Sequence, residues 1–391
     1  MKISPMNAAA CVIIFFLVVS TACSINQNTS PKEHWKFAVL CDTRGDDHNS
    51  SYKSCINDTL VEALANAVVN DGCDLVLVPG DMINGWWSNY CINNCSQYCS
   101  KDMKNCSAKC KIPYDKQFNN WTTAMKPVYE AGIAVYAVRG NHEDGPSPYP
   151  PRCPYSTTPD ADLKEAFIEA FGSKNTSNGP CGEENLTYSF SHKNAFFIGL
   201  DDYVTPHRVN QNWLNQQLAS NNETHVFVFG HEPAFQVGHP DCLGAYPWER
   251  NSFWESIASA GCQVYFCGHD HLYNRAHVLD SSGNKIYQMV IGSCGAPSKQ
   301  WSPPYNDTFV VGDYHNEKDC GYALVTIDGD IALIEWKAWQ NDTWITCDRF
   351  FIKSGACTPA KIKDAKVTLT YEGPLPVEMR GILNIFPAKG S

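Results

Sequence analysis

Five apolar, strand-like segments each lead into a side chain that can bind a metal, and this pattern restricts the fold more than any other feature. The segments are Phe37–Cys41, Leu75–Pro79, Ile133–Val138, His225–Phe229 and Gln263–Cys267. Helical patterns alternate with them along the chain, which predicts a largely parallel or mixed sheet with helices outside. The carboxyl ends of such strands meet at one edge of the sheet, so residues far apart in sequence converge there.

The residues that follow these segments carry carboxylate, amide or imidazole groups. They are Asp42, Asp81, Asn141, His231, His269 and His271. Taken singly, Asp and His in such places more often serve as helix caps or hydrogen-bonding partners. A glycine directly precedes four of the six, however, and glycine lets backbone approach a metal or phosphate closely. The combination predicts a metal centre whose donors suit zinc, manganese or iron.

Four motifs carry these residues in order: Gly80-Asp81, Gly140-Asn141-His142-Glu143, Gly230-His231 and Gly268-His269-Asp270-His271. In these motifs the chain resembles the calcineurin-like metallophosphoesterase superfamily, whose relatives include the purple acid phosphatases, over about residues 36–336. The resemblance implies an α/β fold, a four-layer sandwich of two mixed β-sheets packed together and flanked by helices. It also implies two divalent metal ions.

The resemblance divides the six ligands between two metal positions that share one residue: Asp42, Asp81 and His271 at the first, and Asp81, Asn141, His231 and His269 at the second. His142 matches the residue that contacts the scissile phosphate and helps the leaving group depart. The implied reaction is hydrolysis of a small phosphate mono- or diester by a metal-bound hydroxide. Asp201 and Asp202, after another apolar run, would orient a ligand histidine or cap a turn.

The first motif departs from the family pattern. Members commonly carry a metal-binding histidine two residues after the first aspartate, whereas this chain has Arg44. A guanidinium stays protonated and offers no lone pair to a metal. Water, Asn84 or His48 would complete the first position, unless the metal binds weakly there. Arg44 itself would hold phosphate oxygens as a catalytic residue, or form a salt bridge with Asp46 or Asp47.

Residues 1–23 have the pattern of a signal peptide. Lys2 precedes an apolar run from Cys11 to Val19, and small residues follow it. Such a run is too short for an ordinary membrane span, so the pattern predicts a secreted or extracytoplasmic protein. Cleavage before Cys23 would permit a lipid anchor in a bacterial source. In a eukaryotic source, the eleven Asn-x-Ser/Thr sites would be glycan acceptors.

The chain has 19 cysteines, and an oxidising compartment would pair them. Five lie close together within a predicted insertion at 86–118: Cys91, Cys95, Cys99, Cys106 and Cys110. No histidine lies among them, which favours disulfides over a structural zinc site. The remaining sequence predicts one catalytic domain over 33–357 and an extension at 358–391 with one or two strands.

The net charge of −11 argues against a nucleic-acid partner, which would require a basic surface. The main alternative to an exported phosphoesterase is a binding or scaffold protein on the same fold. Such a protein would have lost turnover together with the histidine of the first motif. The near-complete second position and His142 favour the enzyme.

Overall fold

The computed structural model describes residues 33–45, 54–85, 113–144, 161–172, 176–204, 208–279 and 285–354. The predicted signal peptide, the five clustered cysteines and the C-terminal extension lie outside these residues, as do Asp46, Asp47 and His48. Predictions on those segments therefore stay predictions.

The described residues form thirteen strands and seven α-helices. The strands are β1 His34–Val39, β2 Leu75–Val78, β3 Ala134–Ala137, β4 Tyr188–His192, β5 Ala195–Gly199, β6 His225–Phe229, β7 Val264–Cys267, β8 Tyr273–Leu279, β9 Lys285–Ile291, β10 Val310–Asn316, β11 Gly321–Asp328, β12 Ile331–Gln340 and β13 Thr343–Lys353. The helices are α1 Asp58–Asp71, α2 Tyr114–Ala124, α3 Lys126–Glu130, α4 Asn141–Asp144, α5 Ala161–Phe171, α6 Gln211–Ser220 and α7 Pro247–Ser259. None of these helices is long and apolar enough to cross a membrane.

The strands build two mixed sheets. One has six strands in the order β13-β12-β11-β1-β2-β3, and the other has seven in the order β10-β8-β9-β7-β6-β5-β4. In the first sheet β1, β2 and β3 run parallel, and in the second β5, β6, β7 and β9 do. The predicted fold class, two mixed sheets with flanking helices, is confirmed.

The late strands divide between the two sheets. The sequence has strand patterns over Lys285–Ile291, Tyr322–Ile327 and Ala332–Trp339 with no helix between them, which predicts that all three share the second sheet, but β11 and β12 belong to the first sheet. The reason is that β11 pairs antiparallel with β1 along the whole length of β1, from His34 with Asp328 to Val39 with Ala323. Only β9 joins the second sheet, where it lies beside β7.

Aromatic side chains join the two sheets face to face. Phe37 on β1 lies with its ring centroid 5.3 Å from that of Phe197 on β5 and 5.1 Å from that of Phe227 on β6. All three are fully buried, and edge-to-face pairs of this kind each contribute about 0.5–1.5 kcal/mol beyond area burial. This packing holds the strand ends of both sheets in one fixed relation.

The sequence has one continuous helical pattern over Trp121–Ala131, but the segment forms two helices, because α2 ends before Met125 and α3 begins at Lys126. Pro127 lies in the first turn of α3, where its missing N–H costs nothing. Helix α2 begins at Tyr114, so the end of the predicted insertion at 86–118 is helical. Tyr114, Phe118 and Trp121 pack it into the core.

Candidate metal centre

All six predicted ligands lie beyond the carboxyl ends of parallel strands, and they come from both sheets. Asp42, Asp81 and Asn141 follow β1, β2 and β3 of the first sheet, whereas His231 follows β6 and His269 and His271 follow β7 of the second. Five are buried, and Asn141 is partly exposed. The convergence predicted for strand ends is therefore present at the junction of the two sheets.

Three of these residues have a left-handed backbone. The φ angles are 56° at Asp42, 53° at Asp81 and 69° at His269. Such conformations cost about 1–3 kcal/mol each and persist only where neighbours fix them. Here the Asp81 N–H donates to Glu143 Oε2 at 2.8 Å, and the His269 N–H donates to Asp42 Oδ2 at 3.0 Å. Strain at these positions aims the side chains at one point.

Two glycines make room for the ligand carboxylates, whereas the sequence predicted close approach to a metal or phosphate. A Cβ at Gly140 would overlap Asp81 Oδ1, and one at Gly268 would overlap Asp42 Oδ2 and Cys41 Sγ. Neither glycine has a positive φ, so the requirement is close approach and not backbone freedom.

At the second metal position, acceptor atoms face one another. The His231 Nδ1–H donates to Pro79 O at 2.7 Å, and burial lowers the pKa of His231 to about 4, so its Nε2 carries a lone pair. That Nε2 lies 3.1 Å from Asn141 Oδ1 and 3.4 Å from Asp81 Oδ1. His269 Nδ1 lies 3.0 Å from the same Asn141 oxygen. Donors bonded at about 2.1 Å to one ion stand about 3.0–3.4 Å apart, so these three distances are those expected between ligands of one divalent metal.

The first metal position holds a cation of the chain itself. Donor atoms of Asp42, Asp81 and His271 lie within 4.8 Å of one another. Among them, Arg44 Nη2 lies 3.3 Å from His271 Nε2, and Arg44 Nε lies 3.5 Å from Asp81 Oδ2. Burial, and then the charge of Arg44, lower the pKa of His271 to about 3, and its Nδ1–H donates to Pro297 O. His271 is therefore neutral and accepts from the guanidinium. This position does not fit a metal as long as Arg44 stays there.

His142 lies beside both positions. Its Nδ1 donates to the backbone carbonyl of Asn84 at 2.7 Å, and its Nε2 lies 3.7 Å from Asp81 Oδ2. Burial lowers the pKa of His142 well below its ordinary value. Asn84 thus orients His142 through its main chain, and it is not placed as a metal ligand by any contact of the described residues.

Glu143, the next residue in the motif, anchors the loops after β2 and β3. Its Oε2 accepts from the backbone N–H groups of Asp81 and Gly140, both at 2.8 Å. Its Oε1 accepts from Met82 at 2.8 Å and from Ile83 at 3.1 Å. Burial and the Asp81 charge raise the pKa of Glu143 to about 8, yet four N–H donors require acceptors on both oxygens. We therefore assign it as a carboxylate.

Asp202 and Asp201 hold different neighbours. Asp202 Oδ2 accepts from the backbone N–H groups of His231 at 2.7 Å and Glu232 at 2.8 Å. Asp201 forms a bidentate pair with Arg139, at 2.6 and 3.1 Å. Asp202 thus caps the turn after β6 and, by the same bonds, fixes the main chain of the predicted ligand His231, so the two roles that the sequence allowed coincide.

Sequence reasoning missed several side chains that border the centre. The ring of His239 lies 4.4 Å from that of His269, and its Nδ1 lies 3.0 Å from Asp270 Oδ1. Lys299 contacts His239 Nε2, and Asp241 Oδ1 lies 3.6 Å from His269 Nε2. These residues lie on loops without periodic patterning. The one signal in the sequence was Asp270, because it lies between the two histidines of the last motif. A side chain that contacts Asp270 therefore lies near the centre.

A cleft of about 290 Å³ opens beside the second position. Its lining includes Asn141 and His269 together with Tyr203, Arg208 and Tyr246. Arg208 pairs with the buried Glu232 and lies over the Tyr246 ring at 4.7 Å. A volume of this size suits part of a small molecule, so the cleft is the candidate substrate entrance.

Comparison with known proteins defines the class. The calcineurin-like phosphoesterase family model matches residues 45–273, more than half of the 391 residues. Human tartrate-resistant acid phosphatase type 5 is 29% identical over 124 residues, which are 31% of this chain and 36% of that protein. The matched part therefore spans about a third of that relative's length.

Two solved structures share the fold. A purple acid phosphatase, PPD1, from yellow lupin seeds superposes with a TM-score of 0.59 at 15% identity, covering 87% of this chain and 58% of that one. PhoD superposes with a TM-score of 0.57 at 15% identity, covering 82% and 70%. The chain belongs to the calcineurin-like phosphoesterase family.

Proposed function

We propose that the protein is an exported, metal-dependent phosphoesterase that hydrolyses small phosphate mono- or diesters. The observation that carries this proposal is the position of His231 Nε2, whose lone pair faces Asn141 Oδ1 at 3.1 Å and Asp81 Oδ1 at 3.4 Å, with His269 Nδ1 3.0 Å from the same Asn141 oxygen. Buried acceptors that face one another, as His231 and Asp81 do, are unfavourable unless a cation binds there. The family and its acid phosphatase members support the same reaction class.

A divalent metal ion bound at this position supplies a Lewis acid and lowers the pKa of a water molecule. The chain's own residues do the rest. His142 presents Nε2 to the centre and is oriented by the Asn84 carbonyl, so a substrate phosphate would meet that nitrogen. An arriving phosphate dianion raises the low pKa of His142, which prepares it to donate a proton to the leaving oxygen.

The leaving group is best placed in the cleft lined by Tyr203, Arg208 and Tyr246, because this cleft adjoins His269 and Asn141. Aromatic rings give such a group an apolar surface, and the Arg208 guanidinium gives it a hydrogen-bond donor. The exported location rests on the signal-peptide pattern of residues 1–23. The sequence predicted two metal ions. The guanidinium of Arg44 lies among the donors of the first metal position, next to His271.

The competing proposal is a binding or scaffold protein, and the placement of Arg44 in the first metal position is the observation that favours it. An assay distinguishes an enzyme from such a protein: hydrolysis of p-nitrophenyl phosphate and of bis-p-nitrophenyl phosphate after reconstitution with zinc, manganese or iron. We expect turnover that a chelator abolishes. Asp81→Asn should lower it at least ~10²-fold, the scale of lost metal-ligand function.

Asp74→Asn is a matched control, because Asp74 and Asp81 lie just beyond opposite ends of β2. Asp74 pairs with His192 and Lys193, so its variant should keep wild-type turnover. Full activity in metal-free protein, or no activity on either ester with any metal, would rule out the proposed enzyme.

A further inference from the structure

We propose that the guanidinium of Arg44 takes the place of the first metal, so that each chain binds a single metal ion at the second position. This inference rests on the proposed function for its chemistry, but its test does not depend on turnover. It differs from the sequence expectation of two metal ions.

Contacts hold both the backbone and the side chain of Arg44. Its backbone N–H donates to Asp81 O at 3.1 Å, which holds residue 44 against the loop after β2. Its side chain reaches two of the three donors of the first position, His271 Nε2 at 3.3 Å and Asp81 Oδ2 at 3.5 Å. Only 7% of the residue is exposed, so the guanidinium is enclosed in the centre.

The charges in the centre support the replacement of the first metal ion by the Arg44 guanidinium. Asp42 and Asp81 are fully buried carboxylates, and buried anions require a cation beside them. In the first position Arg44 supplies that cation, and it cannot also act as a ligand because it has no lone pair. A second divalent ion between the same donors would lie a few ångströms from the guanidinium, where like charges repel strongly in a buried site.

Two histidines show the contrast between the positions. His231 and His271 each donate Nδ1–H to a proline carbonyl, so each offers an Nε2 lone pair to the centre. The His231 lone pair faces oxygen acceptors, Asn141 Oδ1 and Asp81 Oδ1. The His271 lone pair faces an N–H donor of Arg44 and also lies 3.5 Å from Asp42 Oδ1. The first position thus has a cation of the chain among its acceptors, and the described residues place none among those of the second.

The arrangement gives Arg44 a catalytic task. A guanidinium bound to Asp81 and His271 stands where the other face of a substrate phosphate would lie. It would bind phosphate oxygens through its N–H donors. The rival arrangement has Arg44 turned outward and a metal ion at both positions.

Metal stoichiometry distinguishes the two arrangements. We would load the full-length protein with Mn²⁺ or Zn²⁺, remove excess by dialysis and measure bound metal by elemental analysis. We expect one equivalent for wild type, and an uncoupled, mononuclear Mn²⁺ spectrum by electron paramagnetic resonance. His269→Ala should lose that equivalent, whereas His271→Ala should keep it. Circular dichroism would verify that each variant is folded.

Arg44→His is the decisive variant, because it places an imidazole where family members commonly have their ligand. We expect its metal content to rise to two equivalents. Arg349→His is the matched control, since Arg349 lies on β13 in an exposed pair with Glu335, and it should stay at one. Two equivalents in wild type would overturn the proposal. A single equivalent in Arg44→His would do so too, because the guanidinium would then not be what excludes the metal.

The metal stoichiometry can be decided independently of the test of hydrolysis. One equivalent without hydrolysis of either ester would leave the Arg44 assignment standing and reject the enzyme. Two equivalents of metal with chelator-sensitive turnover would reject the Arg44 assignment and support the enzyme.

Discussion

Proline carbonyls orient the two histidines that define the centre. Pro79 O accepts from His231 Nδ1 at 2.7 Å, and Pro297 O accepts from His271 Nδ1 at 2.8 Å. A backbone acceptor fixes the tautomer and ring direction of a ligand histidine as a carboxylate would, without adding a charge. The negative charge of the centre therefore comes from its carboxylates, and Arg44 lies beside one of them, with Nε 3.5 Å from Asp81 Oδ2.

At Arg44 we predict that geometry matters beyond charge. Its two nitrogens reach Asp81 and His271 separately, and the single ammonium of lysine cannot reproduce that fork. Arg44→Lys should lower kcat/KM about ten- to a hundredfold, the effect of losing one or two charge-assisted hydrogen bonds. Arg349→Lys, on the exposed edge strand, should leave kcat/KM unchanged. Wild-type kinetics in Arg44→Lys would mean that the fork is not used.

At Glu143 we predict a loss of stability. Glu143→Gln turns one of its oxygens into an NH₂ group that faces two backbone N–H donors. Two unsatisfied or repelling donors should cost about 3 kcal/mol in the free energy of unfolding, measured by urea denaturation. The same change at Glu130, exposed and paired with Lys126 on α3, should shift it by less than about 0.5 kcal/mol.

At the scale of elements, the sequence located the site because its ligands follow buried strands. The strands β2, β6 and β7 read as apolar runs with no exposed residue, and ligands follow each one. The edge strands β10 and β13 were missed, since their outward residues are exposed and polar residues interrupt them. Strand β8 contains Asn274 and Arg275, whose partners, Tyr305 and Asp348, are distant in sequence. Such pairings are invisible before the fold is known.

The backbone conformation of the ligand loops could not be predicted from the sequence either. Positive φ is usual for glycine but not for Asp42, Asp81 or His269. The strain at each is imposed by contacts across the chain, as in the hydrogen bond from His269 to Asp42. The sequence showed only the glycines Gly80 and Gly268, which precede Asp81 and His269.

For the insertion at 86–118, we predict disulfides among Cys91, Cys95, Cys99, Cys106 and Cys110. Mass spectrometry of unreduced peptides from the exported protein should find linked cysteines there. Thiols such as Cys41, Cys267 and Cys294 form a contrasting group, since they are buried and their pKa values are raised by burial. They should resist alkylation in the folded protein. Stoichiometric zinc that survives His231→Ala and His269→Ala would contradict the disulfide prediction.

At the scale of the whole molecule, a metal at the second position would tie the two sheets together. Asp81 and Asn141 come from the first sheet, and His231 and His269 come from the second. The aromatic layer of Phe37, Phe197 and Phe227 already joins the sheets without it. The metal should therefore stabilise a fold that exists in its absence.

We expect a measurable change on chelation. A ligand present at a thousandfold its Kd stabilises the native state by about 4 kcal/mol. For a domain of this size that corresponds to roughly 6 °C in Tm, measured by differential scanning calorimetry with and without chelator. His269→Ala should have a Tm that no longer responds to chelator, whereas His192→Ala, in a half-buried pair with Asp74, should respond as wild type does. Chelation that unfolds the protein completely would show that the aromatic layer is not sufficient, and an unchanged Tm in wild type would show that no metal ties the sheets together.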